Sequence, residues 1–167
     1  GAIVHQKDGD LARTFDGRNG WFMQPQTVTG GYQLYASLLE GGKFDAQLAF
    51  PAGIRQSLNN WHSSFPANID GRDVYVVQGN SPGGLVVTLY FDKQTGRLTR
   101  MIRYTNTALG RVPTQIDYSD YRPVAGVMMP YKFTYGWISG REEYVLSEIQ
   151  PNVAIDAAKF AKPVQRK

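Results

Sequence analysis

The chain has no cysteine among its 167 residues. That absence excludes a disulfide framework, a thiolate zinc site, a cysteine nucleophile and a covalently attached c-type haem. Histidine is scarce too: His5 and His62 stand alone in the sequence. A metal site usually needs several convergent ligands, and a hydrolytic triad needs a base that meets its nucleophile. No Gly-x-Ser-x-Gly elbow supplies one. No apolar run approaches the ~18 residues of a membrane span, and nothing reads as a signal peptide. The chain opens on Gly1 without Met, so a processed, cloned or trimmed origin is expected. Charge of one sign is also modest: 18 Lys+Arg oppose 14 Asp+Glu, a net +4 that suits a soluble surface. The densest cationic group, Arg97, Arg100 and Arg103, is divided between two faces if it lies on a strand. Nucleic acid is therefore not an expected partner.

What the sequence does hold is glycine and aromatics: 18 Gly, 10 Tyr, 8 Phe and 3 Trp. This composition favours strands joined by tight turns over a helical bundle. The length suits a single domain over 1–167 with a core of its own. Ile3–Gln6 and Leu11–Phe15 read as a hairpin around Lys7-Asp8-Gly9-Asp10. Asp16–Gly20 makes a second tight connection, followed by Trp21-Phe22-Met23, with Pro25 as a stop and Thr29-Gly30-Gly31 as a break. Residues 32–58 form the helical stretch, from Leu34, Leu38 and Leu39 at helical spacing through Phe44 and Leu48. Gly41-Gly42 is expected to end a first helix or separate two, with Asp45 starting the second, Pro51 ending it and Ile54 and Leu58 marking a further turn.

From Trp61 onward strand follows strand. Leu85–Phe91 is a nearly continuous apolar run and reads as a central strand. Its return, Arg97–Thr105, alternates Leu98, Arg100, Ile102 and Tyr104 against Arg97, Thr99, Met101 and Arg103. Pro113–Tyr121 follows, and then Tyr131, Phe133, Tyr135 and Trp137 share one face of an aromatic strand. Ser139-Gly140 turns into Glu142–Gln150. Asp156 is placed to cap a short helical turn at Ala157–Phe160, and 161–167 reads as a frayed tail. The pattern is that of an antiparallel meander.

Chemistry-bearing clusters are few. Glycosidase-type catalysis needs two carboxyls about 5–10 Å apart on one cavity. Asp117 and Asp120 fall on opposite faces of a strand, as do Glu142 and Glu143. Asp8-Gly9-Asp10 lacks the rest of a calcium loop, and Gly79–Gly84 lacks the Gly-Lys-Ser/Thr ending of a phosphate loop. The aromatic load has two readings: packing beneath a curved sheet, or a concave apolar surface for a ligand. On the second reading the lining candidates are Trp21, Tyr90, Tyr104, Phe133, Tyr135 and Trp137.

Four stretches carry a family resemblance: Tyr90–Leu98 (YFDKQTGRL), Asp117–Pro130 (DYSDYRPVAGVMMP), Phe15–Trp21 (FDGRNGW) and Gln150–Phe160 (QPNVAIDAAKF). Together they resemble the cysteine-free C-terminal region of acidobacterial-type proteins of the photosynthetic reaction centre cytochrome c subunit family. That region is in turn similar to the half-barrel of outer-membrane lipoprotein-sorting (lipoprotein carrier) proteins. The resemblance implies a mainly β (α+β) fold, a curved antiparallel sheet wrapped over short helices, without its N-terminal helix and first strands. It implies a periplasmic or extracellular location in a bacterial envelope. It also implies that any haem sits elsewhere, so no cofactor is expected in this chain. The family's haem ligands map to no residue of it, and no catalytic or metal-ligating residue carries over.

Three functions stay open on this reading. The first is a non-enzymatic binding or scaffold domain holding a lipid-like ligand or a protein segment. The second is an accessory or assembly module of a multihaem c-type cytochrome complex or filament, joined through open sheet edges. The third, a hydrolase, is disfavoured by the scatter of acids and bases.

Overall fold

The computed structural model describes residues 3–6, 12–23, 31–48, 53–108 and 110–164. The turn expected at 7–10, the stop at Pro25, the break at Thr29-Gly30, the helix end at Pro51 and the last residues of the tail lie outside that set. The chain forms two compact units, Gly1–Ser57 with Ala154–Lys167, and Leu58–Val153.

In the first unit β1 (Ile3–Gln6), β2 (Ala12–Phe15), β3 (Gly20–Met23) and β4 (Tyr32–Leu34) pair in sequence order as an antiparallel sheet. The connection at Asp16–Gly20 is made as expected. Asp16 Oδ1 accepts the backbone N–H groups of Arg18 at 2.8 Å and Asn19 at 2.6 Å. The Asn19 N–H in particular holds this carboxyl below its ordinary range. Residues 32–34 extend the sheet where the spacing suggested the start of a helix.

Helix α1 (Ala36–Leu48) then runs straight through Gly41-Gly42, against the expected break. Both glycines are buried, and a Cβ on Gly42 would meet Leu34 Cδ1 at 4.0 Å. The helix continues despite the ~1 kcal/mol that each glycine costs a helix interior. Asp45 correspondingly starts no helix. It sits buried in the body of α1 and forms an ion pair with Arg13 of β2 at 3.3 Å. A one-turn α2 (Ile54–Ser57) buries Ile54, and Leu58, expected as its continuation, is buried just beyond it. Near the C-terminus, Asp156 caps the 3-10 turn Ala157–Phe160 by accepting the Ala158 N–H at 2.9 Å. The adjoining Ala161 carbonyl accepts the Thr14 hydroxyl at 2.9 Å.

The second unit is an antiparallel meander. Strands β5 (Asn59–Ser63), β6 (Ala67–Ile69), β7 (Arg72–Asn80), β8 (Val86–Asp92), β9 (Leu98–Thr107), β10 (Gly110–Val124), β11 (Val127–Trp137) and β12 (Gly140–Val145) form one open sheet. Its order is β12-β11-β10-β9-β8-β7-β5, with β6 also on β7. The mainly β, antiparallel class expected from the sequence is the one observed. The turns obey their chemistry. Ala125 and Gly126, at φ 47° and 82°, make the two-residue link between Val124 and Val127. Asp92 closes the β8–β9 turn by accepting the N–H and hydroxyl of Thr95 at 2.7 and 2.8 Å. Those bonds hold its carboxyl below the ordinary range.

Cross-strand register assigns the faces, because directly opposite residues share a side. One row runs Val77–Leu89–Met101–Ile116–Tyr135–Glu142. Leu89 and Met101 are wholly buried, Ile116 nearly so, and Tyr135 and Glu142 only half. This is the packed face. β8 buries Val87, Thr88 and Leu89 in succession, as a near-continuous apolar run predicts for an inner strand covered on both sides. The alternation expected along β9 is broken at its start. Tyr90 pairs with Arg100 but Phe91 with Leu98, so Thr99 is an extra residue. The bulge moves Leu98 onto the face of Met101, away from Ile102 and Tyr104.

Candidate functional site

The other face of the same sheet carries the site. Its rows are Gln78–Thr88–Ile102–Gln115–Gly136–Arg141 and, nearer the hairpin tips, Val86–Tyr104–Pro113. Where β9 to β12 run together, these rows form an open groove of about 510 Å³. Ile102, Tyr104, Pro113, Trp137 and Ile138 give it apolar walls, and Gln115, Asp117, Thr134 and Arg141 give it polar ones.

Gly136 makes the floor. It interrupts an aromatic strand, and a Cβ placed on it would approach only the Gln115 carbonyl, at 3.8 Å. The volume above it is therefore space that any side chain would fill. At the β11–β12 turn Trp137 folds over Gly140, whose imagined Cβ lies 3.1 Å from the indole. At the β9–β10 side the Arg111 guanidinium sits 5.0 Å over the Tyr104 ring.

The groove's electrostatics are uneven. Asp117 is its carboxylate, and that charge is already engaged: Arg100 Nε donates to one oxygen and Gln115 Nε2 to the other at 2.8 Å. Arg141 lies directly opposite Gly136 and is exposed. Of the charged lining residues it alone makes no ion pair or hydrogen bond among the described residues. Tyr90 lies on this face beside Arg100. Burial pushes its phenol upward, Tyr104 adds to the rise and Arg100 opposes it.

The six lining candidates are thus dispersed. Tyr104 lines the groove from its own face; Trp137 borders it at the β11–β12 turn, but its ring lies on the face of Tyr135, 6.2 Å away, and Tyr90 shares the groove face without lining it. Phe133 and Tyr135 stand on the packed face. Phe133 stacks on Tyr144 with ring centres 4.9 Å apart, and the Tyr135 hydroxyl accepts from Arg103 Nη2 at 2.6 Å. Trp21 belongs to the first unit, on β3 between Thr14 and Gln33. Missed from the sequence were Ile102, Pro113, Gln115, Gly136 and Arg141. The signal for them was Gly136: a glycine inside an aromatic strand marks close approach or open space.

Of the histidines, His62 is engaged by the Asn60 carbonyl at 3.0 Å and Gln78 Oε1 at 2.8 Å. The side chain of His5, like Asp8-Gly9-Asp10, lies outside the described residues. Among the described residues no three of His, Cys, Asp and Glu converge as a metal set, and no helix is long and apolar enough to cross a membrane.

Compared with solved structures, the chain matches a domain from Vibrio parahaemolyticus assigned to outer membrane lipoprotein sorting. The match has a TM-score of 0.51 and 12% identity, over 95% of this chain and 79% of that one. The likeness is one of fold. A LolA superfamily protein from Nitrosomonas europaea matches over 91% of this chain and 70% of that one, at 15% identity and a TM-score of 0.45. No family model and no curated protein matches the sequence.

Proposed function

We propose that this chain is a non-enzymatic binding domain of a bacterial envelope, and that the β9–β12 groove holds a lipid-like ligand. The observation that carries the reading is the groove itself. A cleft of about 510 Å³ floored by a glycine and walled by Tyr104, Pro113, Ile102 and Ile138 has the size and lining of a small-molecule site. Its one carboxylate is already engaged by Arg100 and Gln115, which suits retention of an apolar body more than proton transfer. The lipoprotein-sorting fold and its envelope setting support the reading.

An assembly role would need an open strand edge. In this sheet β12 presents Arg141, Glu142 and Glu143 in succession, and β5 is bulged between Asn59 and His62, with Asn60 at φ 51°. Charge and irregularity both blunt edge pairing. The edges of this sheet therefore do not favour a cytochrome-complex or filament module.

The test is native mass spectrometry of the chain after incubation with a bacterial total lipid extract. One-to-one adducts are expected, and they should be lost in Gly136→Leu, which fills the floor. Adducts that persist in that variant place the ligand elsewhere. A chain that stays empty beside every lipid class sinks the proposal.

A further inference from the structure

Resting on that reading, we infer that the groove selects an anionic amphiphile, one apolar chain ending in a carboxylate or phosphate, and that Arg141 is the residue that recognises the anion. Three observations converge on this. The apolar walls suit a chain, and Gly136 leaves room for it across the floor. The one carboxylate of the lining, Asp117, is held by Arg100 and Gln115, so it presents little repulsion to an incoming anion. Arg141 faces the groove from β12 with none of its donors committed among the described residues, opposite the bare backbone of Gly136.

The neighbouring charges fit the same polarity. Glu143, two residues along β12 on the same face, is bonded to Lys132 at 2.9 Å, which removes it as a partner for Arg141. Arg111, stacked over Tyr104, adds a second guanidinium on the groove face. A planar guanidinium offers a carboxylate or phosphate two parallel hydrogen bonds, a geometry that a neutral alcohol or ester does not match. The Tyr104 ring and the Ile102 and Ile138 side chains take the chain, and the cation fixes its end.

Isothermal titration of the 167-residue chain, below micelle-forming concentrations, separates the possibilities. The ligands are oleate, oleyl alcohol, acetate and inorganic phosphate. Oleate is expected to bind about tenfold more tightly than oleyl alcohol, one step of charge-assisted bonding at an open rim. Acetate and phosphate, lacking a chain, are expected to bind far more weakly than either. Arg141→Gln, an exposed change, should bring oleate to within about twofold of the alcohol and leave the alcohol unmoved. Gly136→Leu, with its fold checked by circular dichroism, should weaken both chains together.

Equal affinities for oleate and alcohol, both lost in Gly136→Leu, overturn the anion selectivity and leave the lipid-binding proposal standing. An unchanged oleate affinity in Arg141→Gln overturns the assignment to that residue. Phosphate binding as tight as oleate makes this an anion site and overturns the amphiphile. If neither long-chain ligand binds the parent chain, the inference and the proposal beneath it both fail.

Discussion

Replacing Asp45 by asparagine separates two accounts of the same residue. As a helix-starting cap, Asp45 would tolerate Asn almost without loss, because Asn caps as well as Asp does, and even Ala would cost only ~1 kcal/mol. As the buried partner of Arg13, it has no tolerant neutral substitute. Its side chain is 5% exposed, that of Arg13 is 18% exposed, and they meet at 3.3 Å. Removing one member of a buried pair costs about 3–5 kcal/mol, since the other charge stays behind. Arg13 keeps some contact with solvent, so the expected loss is about 2–3 kcal/mol for Asn and Ala alike. Urea denaturation followed by tryptophan fluorescence reads this directly as a fall in midpoint at constant slope. The double replacement Arg13→Met with Asp45→Leu should recover to within about 1 kcal/mol of the parent, because an apolar pair of similar volume has no charge to desolvate. An Asp45→Asn variant within ~0.5 kcal/mol of the parent would refute the ion-pair account.

Two further outcomes test the faces of the larger sheet. Leu89→Ala removes a fully buried side chain from the packed row and should cost about 3–4 kcal/mol, whereas Val86→Ala, half-buried on the groove face, should cost ~1 kcal/mol. Comparable losses in the same denaturation assay would show the register to be misassigned. Tyr121 donates its hydroxyl to the Leu98 carbonyl at 2.6 Å, and burial pushes its phenol up to about 12 from 10.0, against the opposing charge of Arg97. Because the folded state holds the proton more tightly, this contribution is complete below pH 10 and is lost as pH rises from there toward 12. Stability measured across that window should fall less steeply in Tyr121→Phe than in the parent, and an identical slope would contradict the assignment.

The β-rich class and most strand positions were legible because alternation and turn chemistry are local. Asp16, Asp92, the Ala125-Gly126 link and Asp156 act through bonds a few residues long, which a sequence displays. What escaped depended on tertiary packing. Gly41-Gly42 reads as a helix break, yet the helix runs on through both glycines, which are buried, and Leu98 reads as a neighbour of Ile102 until a bulge at Thr99 turns it over. The groove escaped for a related reason. Aromatic side chains advertise themselves, but Phe133 is taken up by Tyr144 and Tyr135 by Arg103 on the packed face, while the open site is made by an absence of side chain at Gly136. An arginine such as Arg141 carries no local mark of being uncommitted, because that depends on partners brought by other strands.

The gradient of burial along the row from Leu89 to Glu142 has a consequence for how the domain breathes. Amide hydrogens at Val87, Leu89 and Met101, whose side chains are wholly buried, are expected to exchange only when the sheet opens globally. Those of the β11–β12 hairpin, at the half-buried end, exchange through cheaper local openings. That hairpin also supplies Gly136, Trp137, Ile138, Gly140 and Arg141 to the groove. The least buried end of the sheet is thus also the end that supplies most of the groove's lining.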